Sequence, residues 1–284
     1  MSTMSQKNGE AKRSARERMQ EERAARQARE KRLRKLGVIG AAVVVLVVAV
    51  VVGILVMSSN SSSYTASQAP AGTTGGNNLV VPVGAVNAPS TLTIYEDPRC
   101  PACGEFEKAF HTTVNQLLGA GKVQIHYHVV SFIDRHDQGN GSKNAANALG
   151  CAQNVGRFHP YHDVLYANQP DETVDAWADR SKLITLAKQV PGLDTPAFES
   201  CVDHNSYGPW VTAVETDFDK SGFTSTPTIL LNGTSAYPSY NGTGLTPQTL
   251  VTMVDAANKG KPLGTLTPAG ASALASPTAA GSTG

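Results

Sequence analysis

Cys100-Pro101-Ala102-Cys103 comes just after Ser90–Glu96, a run of alternating Thr, Leu, Ile and Tyr that reads as a strand. Behind the cysteines, Phe106, Phe110, Val114 and Leu118 recur at helical spacing until Gly119 and Gly121 end the run. The pair therefore stands at a strand-to-helix junction, which suits reversible disulfide chemistry. Reversible disulfide exchange needs a thiolate nucleophile and a second thiol close enough to close the ring. At a helix start, unpaired backbone N–H groups and the macrodipole favour negative charge and lower the pKa of the first cysteine. The second lies one turn further in. Pro101 suits the first helical turn, where its missing N–H costs nothing. Cys100 is read as the attacking thiol and Cys103 as the resolving one. Half of a zinc site is the competing reading, but there is no second Cys-X-X-Cys, because Cys151 and Cys201 stand far apart.

The order of the other elements gives the fold class. Val123–Val130 is a second strand, and Thr228–Leu231 is a buried strand followed by a turn at Asn232-Gly233. Pro247–Asn258 is a closing helix. Between these, residues 134–222 have helical periodicity, with helices expected at Lys143–Gln153, Val174–Gln189, Pro196–His204 and Trp210–Lys220. Strands alternating with helices imply an α/β sheet that carries a helical insertion.

A second feature divides the chain. Gly37–Met57 is an uncharged run of 21 residues, about the length that spans a bilayer core of roughly 30 Å. It is longer than the apolar region of a signal peptide and has no small-x-small cleavage site directly after it, so it is read as an uncleaved single-pass anchor. Residues 1–36 carry 12 Lys/Arg and 5 Glu, and no Lys or Arg lies between Leu36 and Arg99. The positive-inside rule leaves the N-terminus in the cytoplasm and exports everything after Met57. The basic segment 1–36 is read as a topology determinant at the inner leaflet rather than a nucleic-acid arm. Residues 58–78, rich in Ser, Thr, Gly, Ala and Asn, read as a flexible linker, and 262–284 as a disordered tail. The domain is thus 79–261. No phosphate loop, Ser-His-Asp order or nucleic-acid module occurs.

With these residues in view, the sequence resembles the DsbA-like branch of the thioredoxin superfamily over about 79–260. The resemblance is carried by Gly84-Ala85-Val86-Asn87-Ala88-Pro89, by Tyr95-Glu96-Asp97-Pro98-Arg99-Cys100-Pro101-Ala102-Cys103, and by Phe223-Thr224-Ser225-Thr226-Pro227-Thr228 entering a strand. It implies a thioredoxin-like fold in which 134–222 is the inserted helical subdomain. It also implies a cis Thr226-Pro227 loop facing Cys100 that offers backbone to an extended substrate. No cofactor is implied beyond the Cys100–Cys103 redox disulfide. The implied partners are exported proteins with free thiols and a membrane reoxidation partner of the DsbB or VKOR kind. Two positions depart from the pattern. Relatives carry a proton-relaying acid six residues before the first cysteine, where this chain has Ile94; Glu96, of the same strand parity, is the candidate substitute. Pro-Ala replaces the Pro-His of strongly oxidising members, which removes an imidazolium that would stabilise the thiolate.

Four exported cysteines permit three pairings. Redox chemistry at 100–103 leaves Cys151–Cys201 as a structural bridge, with a second redox relay as the alternative. His126 and His128 share a strand face and His159-x-x-His162 has helical spacing. Either set suits a metal such as copper, yet no carboxylate or Cys spacing completes either, and no metal site is assigned. The function expected is a membrane-anchored extracytoplasmic thiol–disulfide oxidoreductase that forms disulfides in exported proteins. The alternatives are a reductase or isomerase, and a non-catalytic thioredoxin-like binding or metallochaperone module.

Overall fold

The structure, a computed structural model, describes residues 64–240 and 242–274. The basic segment, the apolar run 37–57, the start of the linker and the end of the tail lie outside the described residues. Among the described residues no helix is long and apolar enough to cross a membrane.

Alternation builds the sheet. In β2 (Ser90–Glu96), Leu92 and Ile94 are buried on one face, and in β3 (Val123–Val129), Val123, Ile125, Tyr127 and Val129 are buried likewise. The two strands pair in parallel, with Ile94 opposite Tyr127. β1 (Val81–Gly84) joins the far side of β3 antiparallel, and β4 (Thr228–Leu231) and β5 (Thr234–Ser235) extend the sheet beyond β2, in the order β1-β3-β2-β4-β5. Asn232 and Gly233 make the β4–β5 turn, both at positive φ. A second, two-stranded sheet pairs β6 (Ser239–Tyr240) with β7 (Thr243–Gly244).

Helix α1 (Pro101–Gly119) buries Phe106, Phe110, Val114, Leu117 and Leu118 as one stripe. It ends where Gly121 adopts a positive φ. A Cβ there would lie 2.0 Å from the Gly264 carbonyl oxygen, so this close backbone crossing requires glycine. The final helices are α8 (Pro247–Ala257) and α9 (Pro268–Ala273).

The insertion is α2 (Phe132–Asp137), α3 (Gly141–Gln153), α4 (Phe158–Ala167), α5 (Arg180–Ala187), α6 (Pro196–Asp203) and α7 (Gly208–Ser221). Helix α3 is buried from Gly141 through Ala152 except at Lys143, and its small Ala145, Ala146, Ala148 and Ala152 let neighbouring helices approach closely. Its Leu149 shares the core cluster with Trp210, Tyr161 and Phe158 of neighbouring helices. Cys151 on α3 and Cys201 on α6 form a disulfide.

Three expectations are corrected. Val174–Gln189 is not one helix. Asp175 turns away to accept from the backbone N–H of Asn140 and Gly141, a single 3-10 turn covers Ala176–Ala178, and Asp179 starts α5 by accepting from Ser181 N–H. Within the expected linker, residues 64–78 are held against the insertion. Tyr64 packs on the core, Gln153 Nε2 donates to Ala71 O and Trp210 Nε1 donates to Asn78 O. Side-chain-to-backbone hydrogen bonds, with Tyr64 and Ala69 packed on the core, hold this stretch. Within the expected tail, Gly264 N–H donates to Gly121 O and Thr265 N–H to Asn87 Oδ1.

The Cys151–Cys201 bridge closes a loop over a sequence separation of 50, worth about 4 kcal/mol by chain entropy. Replacing both cysteines by Ala is expected to lower the urea-denaturation stability by about that amount while leaving the Cys100–Cys103 thiols reactive. An unchanged midpoint would show that the bridge adds no stability.

Candidate active site

Cys100 is the N-cap of α1, with extended φ/ψ, and Pro101 takes the first helical position. This places the Cys100 sulfur against the free N–H groups of Ala102 and Cys103. The Thr226-Pro227 peptide bond is cis, and Cys100 Sγ donates to Thr226 O at 3.5 Å. The Thr226 side chain is buried beside the Cys100 sulfur. Both thiols are free; Cys100 is 6% exposed and Cys103 is fully buried.

The two thiols are shifted in opposite directions. The Cys103 thiol donates to Cys100, and together with the Thr226 side chain and the N–H groups of Cys103 and Ala102 it outweighs burial and brings Cys100 down to about 6. Burial pushes Cys103 well above the ordinary thiol range, and the charges of Cys100 and Glu96 raise it further. One thiol is thus ionised near neutrality and the other protonated, the division of labour that disulfide exchange requires. A cleft of about 340 Å³ opens beside the pair, lined by Ala102, Phe223, Thr226, Pro227, Tyr237 and Pro238 among others.

The loop before Cys100 is tied to the insertion. Arg99 is 1% exposed, and its guanidinium meets Asp134 at 2.8 Å, Asp137 at 2.5 Å and Asp175 at 3.1 Å. Asp97 accepts from the backbone N–H of Arg99 and Ile133, and burial drives its carboxyl up to about 8. Gln169 Nε2 donates to both Pro98 O and Cys100 O. A Cβ at Gly104 would lie 2.1 Å from Gln169 Oε1, so only glycine admits this clamp. Ile133, Phe132 and Tyr166 pack over the thiols. None of Asp97, Arg99, Gly104 or Gln169 was singled out from the sequence, because their partners lie far away in the chain, Asp175 being 76 residues from Arg99.

Ile94 is buried in the core, at the position where a proton-relaying acid was expected, and Glu96 is buried near Cys103. Its Oε1 meets His162 Nε2 at 2.7 Å. The fold surrounds His162 with carboxylates, bringing one ligand atom each of Glu96, Glu107 and His162 within 4.8 Å of one another, and likewise of His159, His162 and Asp163. Glu107 sits one turn after Cys103 on α1, and Glu96 ends β2, so only the tertiary structure unites them with α4. His126 and His128, by contrast, are separate from this cluster: His126 pairs with Gln124 and His128 stacks on Tyr95.

A helix-start thiol of lowered pKa, a buried partner thiol and an adjoining cleft suit this site to thiol–disulfide exchange, and the chain belongs to the thioredoxin family, whose model, described as Thioredoxin, matches residues 77–256. Among curated proteins it is 27% identical over 126 residues to the serine/threonine-protein kinase PknE of Mycobacterium tuberculosis, covering 42% of this chain but 22% of the kinase. It is also 27% identical over 156 residues to disulfide bond formation protein D of Bacillus subtilis, covering 53% of this chain and 66% of that protein. The chain thus spans about a fifth of the kinase and just under two thirds of the Bacillus protein. Among solved structures, oxidised DsbA of M. tuberculosis aligns at TM-score 0.54 and 27% identity, over 70% of this chain and 100% of that one.

Titrating the thiolate absorbance of the reduced protein is expected to give a midpoint of about 6 that vanishes in Cys100→Ser. Because the first contributor to the low value is the Cys103 thiol, Cys103→Ala should move the midpoint up. The sign for stability follows: a depressed folded pKa stabilises the reduced fold above the ordinary thiol range, and that gain is lost as pH falls through about 6. A midpoint near 9 in the wild type would contradict the geometry.

Proposed function

We propose that this chain is a membrane-anchored enzyme that forms disulfides in exported proteins. The observation that carries the reading is the Cys100 sulfur, ionised near neutrality beside a buried Cys103 and an open cleft. In the disulfide form, a client thiolate attacks the Cys100 sulfur, the Cys100–Cys103 bond breaks and Cys103 leaves as a thiolate. A second client thiolate attacks the client sulfur of the mixed disulfide. The client disulfide forms, and Cys100 departs as a stabilised thiolate. Its low pKa favours that departure and so favours the oxidase direction.

Thr226 and Pro227 present backbone to the client beside Cys100, and the cleft walls from Phe223, Tyr237 and Pro238 take apolar side chains flanking the client cysteine. The spent dithiol is reoxidised by a membrane partner of the DsbB or VKOR kind, which passes the electrons on. The uncharged run at 37–57 and the Lys/Arg bias before it support an anchor with the catalytic domain outside the cytoplasm.

Two experiments test this. The full-length chain should oxidise a reduced model protein, Cys100→Ser should abolish the activity, and Cys103→Ala should accumulate mixed disulfides with clients through Cys100. Wild-type activity no greater than that of Cys100→Ser would leave only a binding module, and clients trapped through Cys151 or Cys201 would move the site. Protease added to intact spheroplasts should digest the domain that follows residue 57 and spare the N-terminal arm. Protection of that domain would reverse the topology.

A further inference from the structure

On α4, His159, His162 and Asp163 stand at positions i, i+3 and i+4 and so share one helix face. One ligand atom of each lies within 4.8 Å of the other two. His159 is 3% exposed and His162 has no exposed surface. Nothing in the exchange at Cys100 uses either imidazole, and burying a polar ring is costly unless its nitrogens are satisfied. Only one nitrogen of each ring is. His162 Nε2 lies 2.7 Å from Glu96 Oε1, and His159 Nε2 lies 2.7 Å from Asn115 Oδ1. Both partners are acceptors, so each Nε2 carries the proton and each Nδ1 keeps a lone pair. Both Nδ1 atoms are buried without a hydrogen-bond partner. Asp163 Oδ1 stands 3.7 Å from His162 Nδ1, longer than a hydrogen bond. Lone pairs thus gather where no donor meets them, an arrangement that a cation satisfies.

We propose that His159 Nδ1, His162 Nδ1 and Asp163 bind a divalent transition-metal ion, with water in the fourth position. Two imidazoles and one carboxylate suit Zn²⁺ and its neighbours, whereas Ca²⁺ and Mg²⁺ want oxygen ligands throughout. The hydrogen bonds behind the ligands have the form such sites take. A ligating imidazole donates its other N–H to a carboxylate or carbonyl, which fixes its tautomer and orientation. Glu96 does this for His162, and Asn115 does it for His159. At 2.7 Å the Glu96–His162 contact is a hydrogen bond, so Glu96 orients the ring rather than ligating the ion. Ligand atoms bound tetrahedrally at about 2.0 Å stand roughly 3.3 Å apart, so the 3.7 Å pair of His162 and Asp163 needs only a small side-chain rotation.

The cluster also has an outer rim and a way in. Asp163 Oδ2 meets His111 Nε2 at 3.2 Å, and the same nitrogen meets Asn115 Nδ2 at 3.0 Å, so α1 holds both the carboxylate and the Asn115 amide. The His111 side chain is 42% exposed and that of Asp163 10%, which opens the cluster to solvent on that side. A proton on His162 Nδ1, facing Asp163, is the competing occupant. Metal binding expels it, so the affinity falls with acid. An ion here would tie α4 to β2 through Glu96 and to α1 through Asn115. The same helix carries Tyr166, which packs over the thiols.

The untagged full-length protein tests the site, with Cys100 and Cys103 oxidised so that no thiolate competes for metal. Zn²⁺ titrated by calorimetry near neutral pH is expected to bind once per chain and to raise the unfolding temperature. Co²⁺ should give visible d–d absorption without a thiolate charge-transfer band. His159→Ala and Asp163→Asn should each weaken Zn²⁺ binding by more than about 100-fold, and Asn115→Ala, which removes only an orienting partner, by about 10- to 100-fold. His126→Ala, outside the cluster, should leave binding unchanged. No binding in the wild type, or binding of wild-type strength in both His159→Ala and Asp163→Asn, would overturn the site. Should His159→Ala fail to fold, Asp163→Asn decides, since it keeps the side-chain shape at the rim of the cluster. Zn²⁺ bound only by the reduced protein would place the metal on Cys100 and Cys103 and overturn the site, while leaving the redox reading of those thiols in place.

Discussion

The site depends on one electrostatic asymmetry: a helix starts at Cys100 and the next thiol in the turn is buried. The α1 N–H groups, the Cys103 thiol and the Thr226 side chain favour charge on Cys100. Burial disfavours charge on Cys103. Neither effect works alone. A helix start without the buried partner would give a reactive thiol with nothing to resolve it, and two exposed thiols would lose the pKa difference that sets their order of attack.

The asymmetry holds only while the chain around Cys100 keeps its place, and the insertion serves that purpose. Arg99 is fixed by Asp134, Asp137 and Asp175, all from the insertion, and Gln169 grips the carbonyls on either side of Arg99. A buried guanidinium surrounded by carboxylates is costly to break, because removing it strands Asp134 in the interior. The helical subdomain is therefore a collar on the active-site loop as well as a lid of Ile133, Phe132 and Tyr166 over the thiols. The same insertion contributes His162, which meets Glu96 at 2.7 Å, so one subdomain both positions the nucleophile and packs against the end of β2.

Much of this was legible in the residues, and what was hidden has physical reasons. Ser90–Glu96 and Thr228–Leu231 announce themselves by alternation and burial, and Cys100-Pro101 by the helix start. β1 is only four residues long and contains Pro82, so its strand signal is weak. Helix α4 was not expected as such, since Pro160 interrupts its pattern, although the spacing of His159 and His162 hinted at it. Residues 64–78 bury little and are held by hydrogen bonds that no hydrophobic pattern reveals. Glu96 was legible as a candidate acid from strand parity. Its partners His162 and Glu107 were not, because neither sequence separation nor residue type indicates that α1 and α4 converge on the end of β2.

The reduction potential of the Cys100–Cys103 couple, measured by equilibration against glutathione, tests the account most directly. Stabilising the Cys100 thiolate stabilises the dithiol and makes the disulfide more oxidising. With Cys100 at about 6, between the values of about 7 for thioredoxin and about 3.5 for DsbA, the potential should fall between about −270 and −120 mV. A potential at or below about −270 mV would contradict the oxidase assignment and point to a reductant instead.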